Sequence, residues 1–190
     1  RTKFPVSISS KSPVVNVDKV LDNMWHGFIK CKVEGYNVIV LHLNPHLYEA
    51  RRREIRTVLE TVKQSGPFEK WIIMGDFNTV SPLDSAVYAD GKYLQRKKEQ
   101  EKVHTRNNNL PDGQLDFAVS QAILDFGFVD AGWADKENYS KDGFKRRIDF
   151  IYVSPDLRNQ IVSCRYITDD FTAAYSDHIP VELLLKHDPE

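Results

Sequence analysis

Three short stretches combine carboxylate, amide and imidazole side chains in patterns that chemistry could use. Gly75-Asp76-Phe77-Asn78 follows directly on the apolar run Trp71-Ile72-Ile73-Met74. A buried strand ending this way delivers polar side chains to the rim of a sheet. There Asp can orient or deprotonate a water, and Asn can hold that water or a phosphoryl oxygen without adding charge. The plain alternative is an Asx-rich turn. Arg147-Ile148-Asp149-Phe150-Ile151-Tyr152-Val153 sets a carboxylate in an otherwise apolar strand. An unpaired buried carboxylate is costly, so Asp149 needs a partner. A structural ion pair with Arg147 or Arg146 is one solution, and a catalytic role the other. In Ser176-Asp177-His178-Ile179-Pro180-Val181, neighbouring side chains of an extended chain point in opposite directions. One of Asp177 and His178 can therefore bind a cation while the other faces a substrate or Asp149. The Asp177 carboxylate suits Mg²⁺, which takes one or two protein carboxylates and keeps several waters. His178 is suited to donate to a phosphoryl oxygen, its tautomer fixed by a carboxylate on the other ring nitrogen. A surface or satisfied core histidine is the plain alternative.

The elements that must position these groups are readable from periodicity. Residues 28–33 and 36–41 read as the strands of a hairpin, with Glu34-Gly35 as the turn. Short extended pieces precede them at 4–8 and 14–17. Leu47, Ile55, Val58, Leu59 and Val62 fall at helical spacing and predict an amphipathic helix over 47–64, stopped by Ser65-Gly66-Pro67. The run 71–74 is nearly all apolar, as in a strand covered on both faces. Residues 84–111, including Arg96-Lys97-Lys98-Glu99-Gln100-Glu101-Lys102, are polar and patternless and read as a long excursion with a helical turn. Leu115, Val119, Ala122, Ile123 and Phe126 define a second helix, with Gly127 placed to end it. Residues 148–153, 162–167 and 181–185 are three further strands. Strands outnumber helices, and two helices can cover the outer faces of packed sheets, which predicts an α+β layered sandwich forming a single domain over 1–190.

Composition bounds the function. The 190 residues are 41% hydrophobic and 28% charged, the balance of a globular domain with a real core. No stretch approaches the roughly 20 consecutive apolar residues of a membrane helix. The formal net charge of -1 supplies no overall attraction to nucleic acid, although a local basic groove remains open. Cys31 and Cys164 match no metal-ligand spacing and read as two buried free thiols, with a disulfide as the alternative.

Taken in order, GDFN after a strand, RIDFIYVS, and SDHIPV before the last strand resemble the endonuclease/exonuclease/phosphatase superfamily, from about residue 4 to 186. Residues 4–14 resemble that family's edge-strand segment. The resemblance implies a four-layer α/β/β/α sandwich of the deoxyribonuclease I-like type and hydrolysis of phosphate esters or diesters. It implies Mg²⁺ as cofactor, with Mn²⁺ or Ca²⁺ as substitutes. Asp76 would be the base, helped by Asn78. His178, oriented by Asp149, would contact the phosphoryl group, and Asp177 would hold the metal. His42, in Val40-Leu41-His42-Leu43-Asn44-Pro45, stands where deoxyribonuclease-like and sphingomyelinase-like members carry a second catalytic histidine. His46 reads as a surface residue at a helix start, and His26 in Trp25-His26-Gly27 carries no role over from the family. Family members also use an upstream strand with an Asn and a metal-binding Glu. Neither Glu34 nor Glu49 has that context, so the chain is expected to be the C-terminal two-thirds of a longer domain and to bind Mg²⁺ weakly alone. The substrate classes implied are nucleic acid, small phosphate esters and lipid head groups, and the polar stretch 84–111 weighs against lipid. The Arg51–Arg56 cluster either faces a polyanion or is a solvated helix face. A binding module without catalysis is the alternative function.

Overall fold

The computed structural model describes residues 6–135 and 147–186. β1 (Val15–Val20), β2 (Phe28–Val33) and β3 (Tyr36–His42) form an antiparallel meander. The β2–β3 turn uses Glu34 and Gly35, both at positive φ (49° and 81°), the pairing that matches the twist of a two-residue hairpin. α1 (Tyr48–Gln64) then crosses over so that β4 (Trp71–Asp76) lies parallel to β3. Beyond a 3-10 turn (Pro82–Tyr88) come α2 (Lys92–Val103), α3 (Ala118–Phe126), the short β5 (Val129–Asp130) and α4 (Ala131–Ala134). β6 (Asp149–Val153) returns antiparallel between β4 and β5, giving a six-stranded sheet ordered β1-β2-β3-β4-β6-β5. β7 (Ile161–Tyr166), α5 (Asp170–Tyr175) and β8 (Val181–Leu185) complete the described chain, β7 and β8 pairing as a separate two-stranded sheet.

The large sheet is apolar on both faces because alternate residues of its central strands point opposite ways. Trp71, Ile73, Phe150 and Tyr152 face α1 and α3, meeting Ile55, Val58, Val62, Val119 and Ile123. Ile72, Met74, Ile151 and Val153 face the small sheet and meet Cys164, Val181 and Leu183. The result is the predicted α+β sandwich of helices, sheet and sheet. Each fully buried large side chain contributes about 1.5–3 kcal/mol, so the two central strands that carry the site are also its best-anchored elements. Cys31 and Cys164 are buried and unbridged. No described helix is long and apolar enough to cross a membrane.

The structure corrects three sequence expectations. Residues 84–111 are no loose excursion: they contain the 3-10 turn and the 12-residue α2. α2 buries none of its side chains, so no apolar stripe existed to be read. Its good helix formers and an i,i+4 Gln95–Glu99 hydrogen bond of 3.0 Å hold it instead. Secondly, Arg51 is not on a solvated face: it is buried, and donates to the Asn44 carbonyl (3.1 Å). Arg52 pairs with Asp116 at 2.7 Å, leaving Arg53 and Arg56 exposed. Thirdly, Arg147 does not answer the Asp149 carboxylate. Buried to 1% exposure, it binds Asp84 (Nε to Oδ2 2.9 Å) and Asp130 (Nη1 to Oδ1 2.9 Å). Arg146 lies outside the described residues, as do residues 4 and 5 of the expected first extended piece, and 6–14 form no strand.

Two predictions test this frame. Arg147→Met leaves two carboxylates buried without their cation and should cost about 3–5 kcal/mol in a urea melt. Gly75 sits at φ 137°, and an added Cβ would lie 1.9 Å from the Leu41 carbonyl oxygen of the neighbouring strand. Gly75→Ala should therefore destabilise by about 3 kcal/mol or more, strain and overpacking acting together.

Candidate active site

Strand register builds the site. His42 pairs with Asp76 across the parallel β3–β4 ladder, and Asp76 pairs with Asp149 across the antiparallel β4–β6 ladder. Three polar residues thus form one row at one edge of the central sheet, where strand ends commonly bind ligands. His178, two residues before Pro180 and the start of β8, reaches in from the small sheet. Its Nδ1 lies 2.8 Å from Asp149 Oδ2. An ionised carboxylate only accepts, so Nδ1 carries the proton and Nε2 is turned to the cleft.

Asp76 is the hub. Its Oδ1 accepts from the Asn78 backbone N–H (2.7 Å) and its Oδ2 from the Asn78 side-chain amide (3.1 Å). Asn78 takes a left-handed φ of 49° to make both contacts, so the Asx turn expected as the plain alternative is present and also presents the carboxylate. His42 Nε2 lies 3.3 Å from Asp76 Oδ2, and His178 Nε2 lies 3.9 Å from the same oxygen, too far for a direct hydrogen bond. The loop is stapled from below. Phe77 is fully buried, edge-on to Phe150 and Tyr152, and its N–H donates to the Ile148 carbonyl at 2.9 Å. Leu43 N–H donates to the Asp76 carbonyl at 2.9 Å, and the Asn78 amide donates to the Leu43 carbonyl at 3.1 Å. Tyr166 of β7 donates its hydroxyl to the Asp149 carbonyl at 2.7 Å, tying the small sheet to the row.

The environment separates the protonation states. Burial raises the Asp76 pKa above the ordinary carboxylate value, the Asn78 amides and the two histidines only partly offsetting it. Burial lowers that of His42 against the pull of Asp76, and the neighbouring His178 lowers it further. For His178, burial works against the imidazolium, but the hydrogen bond to Asp149 and the charges of Asp149, Asp76 and Asp177 outweigh it, and the pKa rises. One cleft therefore holds a carboxylate made more basic, a histidine favouring the neutral form and another favouring the cation. Groups pushed apart in this way can act as base, acceptor and cationic donor.

Of the predicted residues, the structure brings His42, Asp76, Asn78, Asp149 and His178 together. Asp177 is exposed, lines the adjoining cleft and does not join the cluster. Among the described residues, ligand atoms of Asp76, Asp149 and His178 lie within 4.8 Å of one another, a spacing that could hold a metal ion. Their carboxylate oxygens, like that of Asp177, suit a hard cation such as Mg²⁺, whereas His178 Nδ1 is already committed to Asp149.

Sequence reasoning passed over two supporting residues. His26 stacks on His42 with ring centroids 4.2 Å apart and planes 24° from parallel. Trp25 meets His46 edge-on at 5.6 Å, so the Trp25-His26 turn and the loop after β3 form one aromatic wall. Glu54, buried on α1, accepts from the N–H groups of Trp25 (2.6 Å) and Asn44 (2.7 Å) and holds both loops in place. An acidic residue within the apolar stripe of a helix was the available signal for Glu54. Nothing in the local sequence marks His26, because its partner is brought to it only by the β2–β3 hairpin.

Comparison with known proteins follows the same lines. A model described as the Endonuclease/Exonuclease/phosphatase family matches residues 2–178. An AP endonuclease from Archaeoglobus fulgidus superposes with a TM-score of 0.64 at 20% identity, over 94% of this chain and 73% of that one. A 3'-5' exonuclease (NExo) from Neisseria meningitidis gives 0.63 at 17% identity with the same coverages of 94% and 73%. A Neisseria 3' phosphatase NExo structure bound to product DNA hairpin gives 0.60 at 19% identity, over 94% and 73%. At these identities the likeness is one of fold. No curated protein matches the chain significantly.

Proposed function

The chain belongs to the Endonuclease/Exonuclease/phosphatase family, and on that premise we propose that it hydrolyses a phosphate ester or diester by one-step attack of water. The observation that carries this reading is the row His42–Asp76–Asp149, with His178 hydrogen-bonded to Asp149 at 2.8 Å. Asp76, its basicity raised by burial, orients the water and takes its proton, while Asn78 holds the carboxylate in place. His178, shifted toward the imidazolium by Asp149 and the neighbouring carboxylates, donates from Nε2 to a phosphoryl oxygen as negative charge grows there. His42 lines the opposite side of Asp76 and contacts the same group. Asp177 would hold Mg²⁺ in the cleft that Asp149 also lines, and the ion would neutralise phosphoryl oxygens and stabilise the leaving group. The proposed substrate is a nucleic acid or a small phosphate ester. Lipid is disfavoured because α2, beside the cleft, is mostly charged and polar.

Asp76→Asn keeps shape and removes the base, and His178→Ala removes the donor. On bis-p-nitrophenyl phosphate the first should lower kcat by about 10²–10⁴ and the second by about 10²–10³. Both should melt close to the parent. If either variant keeps activity within a few-fold, these loops are not the site. A second prediction concerns the ion: dialysis against EDTA should abolish turnover, and Mg²⁺ should restore it without changing the circular dichroism spectrum. Full activity in EDTA would remove the metal from the proposal.

A further inference from the structure

The chemistry proposed for Asp76 and His178 needs room for one phosphoryl group, yet the cleft beside them is far larger. It encloses about 560 Å³, within the range of sites that hold a whole ligand. One wall is Asp149, Asp177 and His178; the other is the first two turns of α2, contributed by Lys92, Tyr93 and Arg96. On a helix, residues four apart share a face, so Lys92 and Arg96 present their charges side by side. Tyr93 and Lys97, also four apart, line a second, smaller recess of about 80 Å³ that includes Asn78. α2 thus straddles the cleft, with three cations within two turns and an aromatic ring between them.

The arrangement of those cations is informative. Arg96 lies with its guanidinium 5.1 Å from the Tyr93 ring centroid, and the Lys97 ammonium lies 5.7 Å from it. The ring holds both charged groups next to the cleft without neutralising them. Lys92 contacts Asp90 at 3.4 Å, but these side chains are 87% and 52% exposed. An exposed pair of this kind contributes little and can be exchanged for a better anion. The guanidinium in turn offers a fork matched to phosphate oxygens. Arg53 and Arg56, two other exposed arginines, stand on α1 and line neither recess.

We propose that α2 forms a subsite for a second phosphate, one that flanks the ester being cleaved, with Lys92 and Arg96 as its principal contacts. This rests on the phosphoesterase reading above and narrows it: the substrate carries clustered phosphates, as in a nucleic acid strand or a polyphosphorylated small molecule, in place of a lone monoester. Lys97 and Tyr93 connect the subsite to Asn78 and thereby to the reacting group.

The test is equilibrium binding at several salt concentrations, using a short fluorescein-labelled oligonucleotide and, as competitor, inositol hexakisphosphate. The Lys92→Ala/Arg96→Ala double variant should lose between about tenfold and a hundredfold in affinity for whichever polyanion binds. For the oligonucleotide, its log–log salt slope should shrink by about 0.7, that is one phosphate contact. Arg96→Lys, which keeps the charge but not the fork, should recover part of the loss. Arg56→Ala, which removes a cation elsewhere on the surface, should stay within about twofold of the parent. With active protein, the ratio of kcat/KM on the oligonucleotide to that on bis-p-nitrophenyl phosphate should fall in the double variant. Binding of the oligonucleotide alone identifies a nucleic acid strand, and binding of the inositol phosphate alone a small polyphosphate; either supports the subsite. Unchanged affinity in the double variant, or an equal loss in Arg56→Ala, overturns it. Polyanion binding that depends on α2 in a protein that cleaves no diester would sink the hydrolytic reading and leave the subsite standing.

Discussion

The buried cluster of Arg147, Asp84 and Asp130 is the contact on which the placement of the rest depends. Arg147 stands two residues before Asp149; Asp84 lies in the 3-10 turn that leaves the Asp76 loop; Asp130 ends β5 and caps α4 through the Trp133 N–H at 3.1 Å. One guanidinium therefore fixes where β6 begins, where the chain departs from the site, and how the β5–α4 corner meets the small sheet. A buried ion pair is weak evidence for net stability, since desolvation consumes most of its attraction. Its value here is geometric. The planar fork donates to two carboxylates only along defined directions, so three segments distant in sequence can meet in one arrangement.

With β6 fixed, Asp149 holds His178 at 2.8 Å. Had Arg147 answered Asp149, the carboxylate would have been neutralised and His178 left without the charge that raises its pKa. Sending Arg147 to Asp84 and Asp130 leaves Asp149 to hold His178, while His42, lacking such a partner, follows burial and loses its proton more readily. Two histidines around one carboxylate hub thus acquire different charge preferences from the contacts on their far sides. The division comes from the Asp149 hydrogen bond on one ring and burial of the other, and would be invisible in a list of the residues alone.

Much of this was legible in the sequence, and most of the failures share a cause. GDFN, RIDF and SDHIP are local: an apolar strand followed by polar residues announces a rim position, and the strands around them carry their own periodicity. The α1 and α3 stripes were readable for the same reason, because burial imposes a repeat. What could not be read was pairing across long sequence separations. Arg147 was next to Asp149 in sequence and chose partners 63 and 17 residues away. Arg51 was grouped with surface arginines, though it turns inward to the Asn44 carbonyl. His26 gained its place on His42 only through a hairpin. α2 failed differently: it buries no side chain, so its helix rests on propensity and side-chain pairs, which leave no apolar signature.

That difference between α2 and the strands also separates two kinds of work. Proton transfer and stabilisation of developing charge lose most of their effect when a group is displaced by a fraction of an ångström, so they demand a rigid support. His42, Asp76 and Asp149 have one, sitting in register beside the buried Leu41, Leu43, Phe77 and Phe150. Attraction between a phosphate and a cation falls off slowly within the Debye length, roughly 8–10 Å at ordinary ionic strength, and tolerates looser placement. A polar helix held at the surface can supply that attraction and still adjust to the ligand it meets. Packing α2 into the core would have stiffened it at the cost of the exposed charges that make it useful, so a loosely anchored helix is suited to recognition and well-anchored strands to chemistry.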